Sequence, residues 1–107
     1  MTGARTGQVA VIFVSQRTAD DAAGYAEAAA AMDALAARQP GYRGVASTRD
    51  PPGFGITVSY WADEASAIAW RNHPDHVRIR NAGRDRWYRS YEVIVAAVTR
   101  DYSWREG

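Results

Sequence analysis

An unbroken apolar run near the beginning of the chain, VAVIFV from Val9 to Val14, limits the folds open to this protein. Its β-branched residues predict a strand that is buried on both faces or covered by a partner. Leucine occurs only once, at Leu35, so aromatic and β-branched side chains must fill most of the core. The sequence therefore predicts a sheet that needs a cover on each face.

The segment from Asp20 to Arg38 has the composition and spacing of an amphipathic helix. Gln39, Pro40 and Gly41 end it, because proline cannot continue a helix and glycine favours its end. The apolar residues that recur at intervals of three and four are Tyr25, Ala28, Ala29, Met32, Leu35 and Ala36. We expect this side of the helix to face the sheet.

Two strand-forming runs joined by a turn predict a β-hairpin in the middle of the chain. Tyr42–Asp50 and Phe54–Trp61 are separated by Pro51-Pro52-Gly53, whose dihedral preferences favour a reversal. Residues alternate along the second run, so that one face is apolar and the other mixed. The mixed face carries Gly55, Thr57, Ser59 and Trp61. We expect this mixed face to form a wall of the functional site.

A broken helix follows the hairpin. Asp63 can cap its first part by accepting hydrogen bonds from free backbone N–H groups. Pro74 breaks the helix near His73 and restarts it, because proline lacks an N–H group and is tolerated only in a first turn. The second part is predicted from Asp75 to about Trp87, with Gly83 as its weak point.

The last predicted strand runs from Tyr91 to Tyr102 and is apolar on both faces. The order β-α-β-β-α-β matches a ferredoxin-like α+β fold, a four-stranded antiparallel sheet with both helices on one face. We expect residues 9–107 to form this single domain and residues 1–8 a disordered tail. A second copy is the simplest cover for the bare sheet face, so we expect a homodimer with facing sheets.

Charge, cysteine content and hydropathy exclude several classes of function. The net charge is +1, which gives no strong field toward nucleic acid or a membrane surface. The chain has no cysteine, and therefore no disulfide, thiolate nucleophile, zinc–cysteine site or iron–sulfur cluster. The N-terminal MTGARTGQ has no apolar core, so we do not expect it to be a signal peptide. The sequence also has no apolar run of the ~20 residues that a membrane helix needs and no dinucleotide motif. We expect a cytoplasmic protein with neither nucleic acid nor membrane as partner.

Residues suited to a small-molecule site are concentrated between Ile56 and Tyr91. This stretch contains both histidines, three of the four tryptophans and six of the thirteen arginines. Aromatic rings with polar tips, imidazoles and guanidinium groups together offer a large contact area and a few oriented donors. The stretch is typical of a pocket for a flat, partly polar organic molecule.

Four residues are predicted to be catalytic. His76 should lie over the sheet, where a neutral imidazole can take a phenolic proton; the alternative is a histidine buried for structural hydrogen bonding. Arg84 can hold an anionic oxygen near Tyr88. Trp70 precedes the helix break, where a cavity can form. No metal is expected, because the two histidines supply fewer ligands than catalytic zinc requires.

Five more residues are predicted to bind substrate. They are Phe54, Ser59, Trp61, His73 and Trp87. His73 also fits a helix boundary, where its ring can accept from a free N–H group, and Trp87 also fits the core. The remaining arginines of the helix are interpreted as a solvated face.

The pattern FGITVSYW, then AW-x-x-H-x-x-H, then GR-x-x-WY-x-x-Y, resembles the antibiotic biosynthesis monooxygenase family. The resemblance covers the chain from Val9 to about Tyr102. It implies a dimeric α+β barrel in which two ferredoxin-like protomers pack sheet to sheet, each with a pocket between sheet and helices. Members of this family include cofactor-independent oxygenases that convert polycyclic aromatic substrates to quinones. Others bind and degrade haem, or isomerise or decarboxylate small molecules.

Two sets of site residues are implied by the resemblance. Haem-degrading relatives use an asparagine on the first strand, a tryptophan on the second helix and a histidine about ten positions later. Trp70 matches the tryptophan, but the first strand has no asparagine and Arg80 stands at the histidine position, so His76 would serve only after a helical shift. The residue types that quinone-forming relatives use are supplied by Asn72, Trp70, Tyr88 and Arg84.

The sequence thus predicts a cofactor-independent monooxygenase that oxidises an aromatic or polyketide-like small molecule with dioxygen. An electron-rich phenol can, once deprotonated, pass an electron to dioxygen without a cofactor. One alternative is a protein that binds or degrades haem. Another is a small-ligand binder without catalysis, which a filled interior between sheet and helices would favour.

Overall fold

The first strand lies in the middle of a four-stranded antiparallel sheet. A computed structural model describes residues 4–51 and 53–107. Its elements are β1 (Val9–Arg17), α1 (Ala22–Ala36), β2 (Tyr42–Arg49), β3 (Phe54–Trp61), α2 (Glu64–Arg71), α3 (Pro74–Ala82), a π-helical turn (Gly83–Trp87) and β4 (Tyr88–Ala97). The strand order is β2-β3-β1-β4. The ferredoxin-like α+β prediction is confirmed, and its second helix consists of α2 and α3.

The two faces of the sheet differ in what covers them. Val11 pairs with Ser59 and with Val95, and these residues line one cavity together with residues of all three helices and the π-helical turn. Every helix is therefore on this side of the sheet. The mixed face of β3 is the one that faces them. The opposite face carries Ile12 between its pairing partners Val58 and Ile94, and no helix of the described chain is left to cover it.

The last strand differs from its predicted range of Tyr91 to Tyr102. β4 begins at Tyr88, directly after the π-helical turn, and ends at Ala97. Ala97 pairs with Val9, which is the first residue of β1. Val98 still exchanges backbone hydrogen bonds with Gly7 and Gln8, but no described strand pairs with the residues after it. The prediction was wrong because a strand ends where its partner ends.

Side chains cap the two helices at the predicted break. The Asp63 carboxylate accepts a hydrogen bond from the Ser66 N–H at 2.8 Å. The Nδ1 atom of His73 accepts one from the Asp75 N–H at 3.2 Å, and Pro74 follows in the first turn of α3. The predicted helix break near His73 is confirmed, and so is the position of His73 at the helix boundary. The interrupted backbone changes the direction of the chain between α2 and α3.

The second helical segment changes from α-helical to π-helical geometry at Gly83. The five residues from Gly83 to Trp87 form a single π-helical turn, a rare geometry that is frequent at functional sites. The Trp87 side chain is buried, and its Nε1–H donates to the Asp21 carboxylate at 3.2 Å. Because Asp21 also caps α1, this bond ties the end of the second helical segment to the start of the first.

Part of the predicted N-terminal tail is attached to the chain end. The Arg5 N–H donates to Asp101 at 3.0 Å, and the Thr6 hydroxyl donates to the same carboxylate at 2.6 Å. Gly7 N–H donates to the Val98 carbonyl. Residues 4–8 therefore do not form a free tail, while residues 1–3 and Pro52 lie outside the described residues. None of the helices described is long and apolar enough to cross a bilayer.

Candidate functional site

A cavity of about 790 Å³ lies between the sheet and the helices. Small side chains create it: Ala28, Ala29 and Ala36 of α1 and Ala67 of α2 face the sheet across the open space. Larger residues at these positions would reach the sheet and fill the interior. The volume is within the range of small-molecule sites. An open cavity of this size argues against the alternative in which side chains fill the interior between sheet and helices.

Three rings form a stack at one end of the cavity. The Trp61 indole is fully buried, and its Nε1–H donates to the Ser59 hydroxyl at 3.0 Å. Trp70 lies against it with ring centroids 6.1 Å apart and 25° between the planes. His76 lies on Trp70 at 4.7 Å and 21°. The stack holds the imidazole in one orientation, because rotation of the ring would cost contact with the indole.

Hydrogen bonding determines which nitrogen of His76 can accept a proton. Nδ1 lies 3.0 Å from the Trp70 carbonyl oxygen. Because a carbonyl only accepts, Nδ1 must carry the hydrogen, and Nε2 is the acceptor of the neutral ring. Burial lowers the pKa of His76 below its ordinary value of 6.5, and the charge of Arg80 lowers it further against a rise from the Trp70 bond. His76 is thus a neutral base on the cavity wall.

Two tyrosines form a second polar group in the cavity. The rings of Tyr25 and Tyr88 meet edge to face, with centroids 5.9 Å apart. Burial raises the pKa of the Tyr88 hydroxyl well above its ordinary value of 10.0, and a hydrogen bond to Tyr25 raises it further. The Arg17 guanidinium lies over the other ring, 3.7 Å from the centroid of Tyr25. Tyr88 therefore keeps its proton, and an oxyanion could accept its hydrogen bond in place of Tyr25.

Arg84 is held by the last strand. Its Nε–H donates to the Tyr91 hydroxyl at 2.6 Å. Tyr91 in turn contacts Phe13 of the central strand, with ring centroids 5.3 Å apart. The bond uses one of the five N–H groups of the guanidinium and leaves the terminal ones for an anionic oxygen.

The cavity brings together six of the nine predicted site residues. They are Ser59, Trp70, His76, Arg84, Trp87 and Tyr88. Trp61 supports the site from behind Trp70, and His73 caps α3 instead of lining the cavity. Phe54 pairs with Gln16, lies on the opposite face of the sheet and is 44% exposed. The alternation of β3 explains its position, because Phe54 shares a face with Val58.

Several cavity residues were not among the predicted site residues, and three of them carry polar groups that bear on the chemistry. Tyr25 belongs to the apolar stripe predicted for α1, and Tyr91 belongs to the last strand. Arg80 lies between His76 and Arg84 at intervals of four, which places all three on one side of a helix. This spacing was the feature of the sequence that could have identified Arg80 as a site residue. Over residues 4–51 and 53–107, no three histidine or acidic side chains come together to hold a metal ion.

Comparison with known proteins identifies the family. The family model for antibiotic biosynthesis monooxygenases matches residues 8–82. The uncharacterized protein YqjZ of Bacillus subtilis (strain 168) is 46% identical over 97 residues, which cover 91% of this chain and 84% of YqjZ.

Solved structures agree with this assignment at the level of the fold. Rv0793 from Mycobacterium tuberculosis has a TM-score of 0.78 at 18% identity, over 90% of this chain and 99% of that one. SnoaB, a cofactor-independent oxygenase from Streptomyces nogalater, has a TM-score of 0.71 at 16% identity, over 95% and 97%. At these identities the likeness concerns the fold alone. The family model matches most of this chain, and the fold agrees with it. The chain therefore belongs to the antibiotic biosynthesis monooxygenase family.

Proposed function

We propose that this protein is a monooxygenase that oxidises a phenolic, aromatic or polyketide-like small molecule with dioxygen and without a bound cofactor. The orientation of His76 carries the proposal. Its ring is fixed by Trp70 through stacking and through the Nδ1 bond, and it stays neutral because of burial. A fixed neutral imidazole on the wall of a cavity is what a general base for a bound phenol requires. SnoaB, with the same fold, is a cofactor-independent oxygenase, which supports the proposal.

The reaction begins with proton transfer. Nε2 of His76 takes the hydroxyl proton of the substrate, and the phenolate passes one electron to dioxygen. The resulting radical and superoxide combine through a new carbon–oxygen bond. The hydroperoxide then breaks its oxygen–oxygen bond, and the ring carbon loses its hydrogen. One oxygen atom stays on the ring as a quinone carbonyl, and the other leaves as water with the two hydrogens taken from the substrate.

Tyr88 and Arg84 stabilise the negative charge that these reaction steps create. Tyr88 remains protonated and donates to the phenolate oxygen. The Arg84 guanidinium, anchored by Tyr91, supplies positive charge for the superoxide and peroxide oxygens. His76 returns its proton to the leaving oxygen. Trp70 and Trp87 contact the rings of the substrate, while Ser59 orients the Trp61 indole behind them.

Oxygen uptake tests the proposal. Purified protein is mixed with a panel of hydroxylated naphthalenes and anthracenes, and consumption of oxygen is followed with quinone formation. We expect His76→Gln to lower the rate by about 10²–10⁴-fold, the usual contribution of a general base. Arg78→Gln on the exposed side of α3 is the matched control and should leave the rate unchanged. Equal rates for the wild type and His76→Gln would contradict the assignment.

Haem binding is the second candidate, and the same Nδ1 bond favours it. Histidines that ligate metals commonly donate their other ring N–H to a carbonyl, as His76 does. Haem would then be ligated through Nε2. A Soret shift in a hemin titration that is lost in His76→Gln would favour this function over cofactor-free oxygenation. No shift, or a shift that persists in the variant, would eliminate it.

We also propose that the protein is a homodimer in which the helix-free faces of two sheets pack together. That face carries the apolar residues Ala10, Ile12, Val14, Ile56, Val58, Ile94 and Ala96. Ile94 is 40% exposed in the single chain. A contiguous apolar sheet face of this kind marks an interaction surface, and a second copy presents a complementary one by symmetry.

A further inference from the structure

Arg80 is an arginine on the cavity wall that the mechanism above does not use. It lies one turn after His76 on α3, and both residues line the cavity. Its Nε atom is buried and has no hydrogen-bond partner. Within the described part of the chain, no carboxylate forms an ion pair with its guanidinium.

Three other arginines of the same segment differ from Arg80, because each has a partner on the protein. Arg78 is exposed and lies 3.7 Å from the Asp75 carboxylate. Arg84 donates to Tyr91, and Arg86 lies 3.8 Å from the Asp21 carboxylate. Each of these side chains has a partner on the protein. Arg80 combines a buried donor with the absence of any such partner.

The buried Nε–H group of Arg80 has no acceptor among the described residues of the protein. A buried donor without an acceptor is costly, and an anionic oxygen would satisfy both this N–H group and the charge of the guanidinium. His76 does not supply the anion, because an imidazole is either neutral or positively charged. Asp33 and Glu64 also line the cavity, but neither forms an ion pair with Arg80. The protein thus holds a fixed positive charge beside a neutral base.

We propose that Arg80 binds a carboxylate of the substrate, so that the cavity selects aromatic hydroxy acids over neutral phenols. Arginine recognises a carboxylate through two parallel N–H···O bonds, which fix the orientation of the ligand as well as its charge. Because Arg80 follows His76 by four residues, the acid group would lie next to the hydroxyl that His76 deprotonates. The inference rests on the proposed function and names the class of its substrate.

Calorimetric titration with two matched probes tests this selection. 1-Hydroxy-2-naphthoate and 1-naphthol share their ring and hydroxyl and differ only in the carboxylate. We expect the wild type to bind the acid about tenfold more tightly than the phenol, as a charge-assisted bond predicts. Arg80→Met should bind both probes with similar affinity. Arg78→Met removes an arginine from the exposed side of the same helix and should keep the wild-type preference.

The preference must also weaken with salt in the wild type, between about 0.05 and 0.5 M NaCl, because ions screen a charge contact. If Arg80→Met fails to fold by circular dichroism, Arg80→Gln replaces it. A preference that persists in the folded Arg80 variant, a wild type without preference, or no binding of the acid would each overturn the proposal. The binding measurement does not depend on turnover. If the wild type prefers the acid but takes up no oxygen, only the oxygenase function is contradicted. If it takes up oxygen but shows no preference for the acid, only the role of Arg80 is contradicted.

Discussion

The imidazole of His76 lies on the indole of Trp70, and the same two residues are joined by a bond from Nδ1 to a backbone carbonyl. One residue therefore controls both the plane of the ring and its tautomer. The carbonyl that accepts this bond belongs to the last turn of α2, and His76 belongs to the first turn of α3. The geometry of the base depends on the helix break between them.

Removal of the indole should change the pKa of His76. Trp70 covers one face of the imidazole, and burial is the largest cause of the lowered pKa. In Trp70→Ala, water reaches the ring, so we expect the pKa to rise toward 6.5. NMR titration of the imidazole measures it. Trp70→Phe, which keeps an aromatic ring, should stay closer to the wild type, and identical pKa values in all three proteins would contradict the stacking argument.

The oxidation rate should depend on pH in a direction set by the same pKa. His76 acts as a base only when neutral, and its pKa lies below 6.5. The midpoint of the decline in rate at acidic pH should therefore lie below pH 6.5. Tyr88, whose pKa is raised above 10.0, should cause no loss of rate up to that pH. A decline centred above pH 6.5 that disappears in His76→Gln would show that the pKa is raised instead.

The folding stability of the protein should fall at acidic pH, because the pKa of His76 is lower in the folded chain than in the unfolded one. In the unfolded chain His76 has its ordinary pKa of 6.5, while in the folded chain its pKa is lower. The unfolded state therefore binds more protons at acidic pH, and stability that is present above pH 6.5 is lost as the pH falls through the folded pKa. Thermal unfolding at a series of pH values should show a smaller loss in His76→Gln. An equal loss in both proteins would assign the effect to other groups.

Gly83 should be intolerant of alanine. A Cβ atom on Gly83 would lie 2.9 Å from two carbon atoms of the Tyr88 ring, so the ring would have to move. We expect Gly83→Ala to destabilise the protein by about 1–3 kcal/mol, the usual cost of overpacking. Denaturant unfolding of a double-mutant cycle tests the cause. In the Tyr88→Ala background the cost should vanish, and an undiminished cost would implicate the backbone of the π-helical turn instead.

A charge on the helix-free face should prevent self-association. Val58 pairs with Ile12 on one side and Ala46 on the other, in the middle of that face. Val58→Arg would bury an unpaired charge between two sheets, which is unfavourable by several kcal/mol. Light scattering during size-exclusion chromatography should report a dimer for the wild type and a monomer for the variant. Ala30→Arg on the exposed side of α1 is the control and should remain dimeric.

The fold could be predicted from the sequence because its signals are local. Alternation in Phe54–Trp61 identified a strand and its faces, and Pro74 identified the helix break. The end of β4 at Ala97 could not be predicted, because it depends on where β1 begins in space. The π-helical turn was foreseen only as weakness at Gly83, since no residue pattern specifies that geometry.

The candidate site was less accessible from the sequence. His76, Trp70 and Tyr88 stood out by residue type, and the cavity brings them together. Arg80 was interpreted with the other arginines as part of a solvated face, since its burial depends on how α3 lies on the sheet. Phe54 resembled a pocket aromatic, but the parity of its position in β3 places it on the opposite face.

The alanines of α1 give the cavity a size that single substitutions can adjust. Ala28, Ala29 and Ala36 face the sheet with methyl groups only, so they leave the base, the tyrosines and the arginines untouched when they change. A larger residue at any of them would shorten the ligand that fits while the chemistry at the far wall stays the same. Under the proposed function, these alanines of α1 limit the length of the ligand, whereas the base His76 belongs to α3.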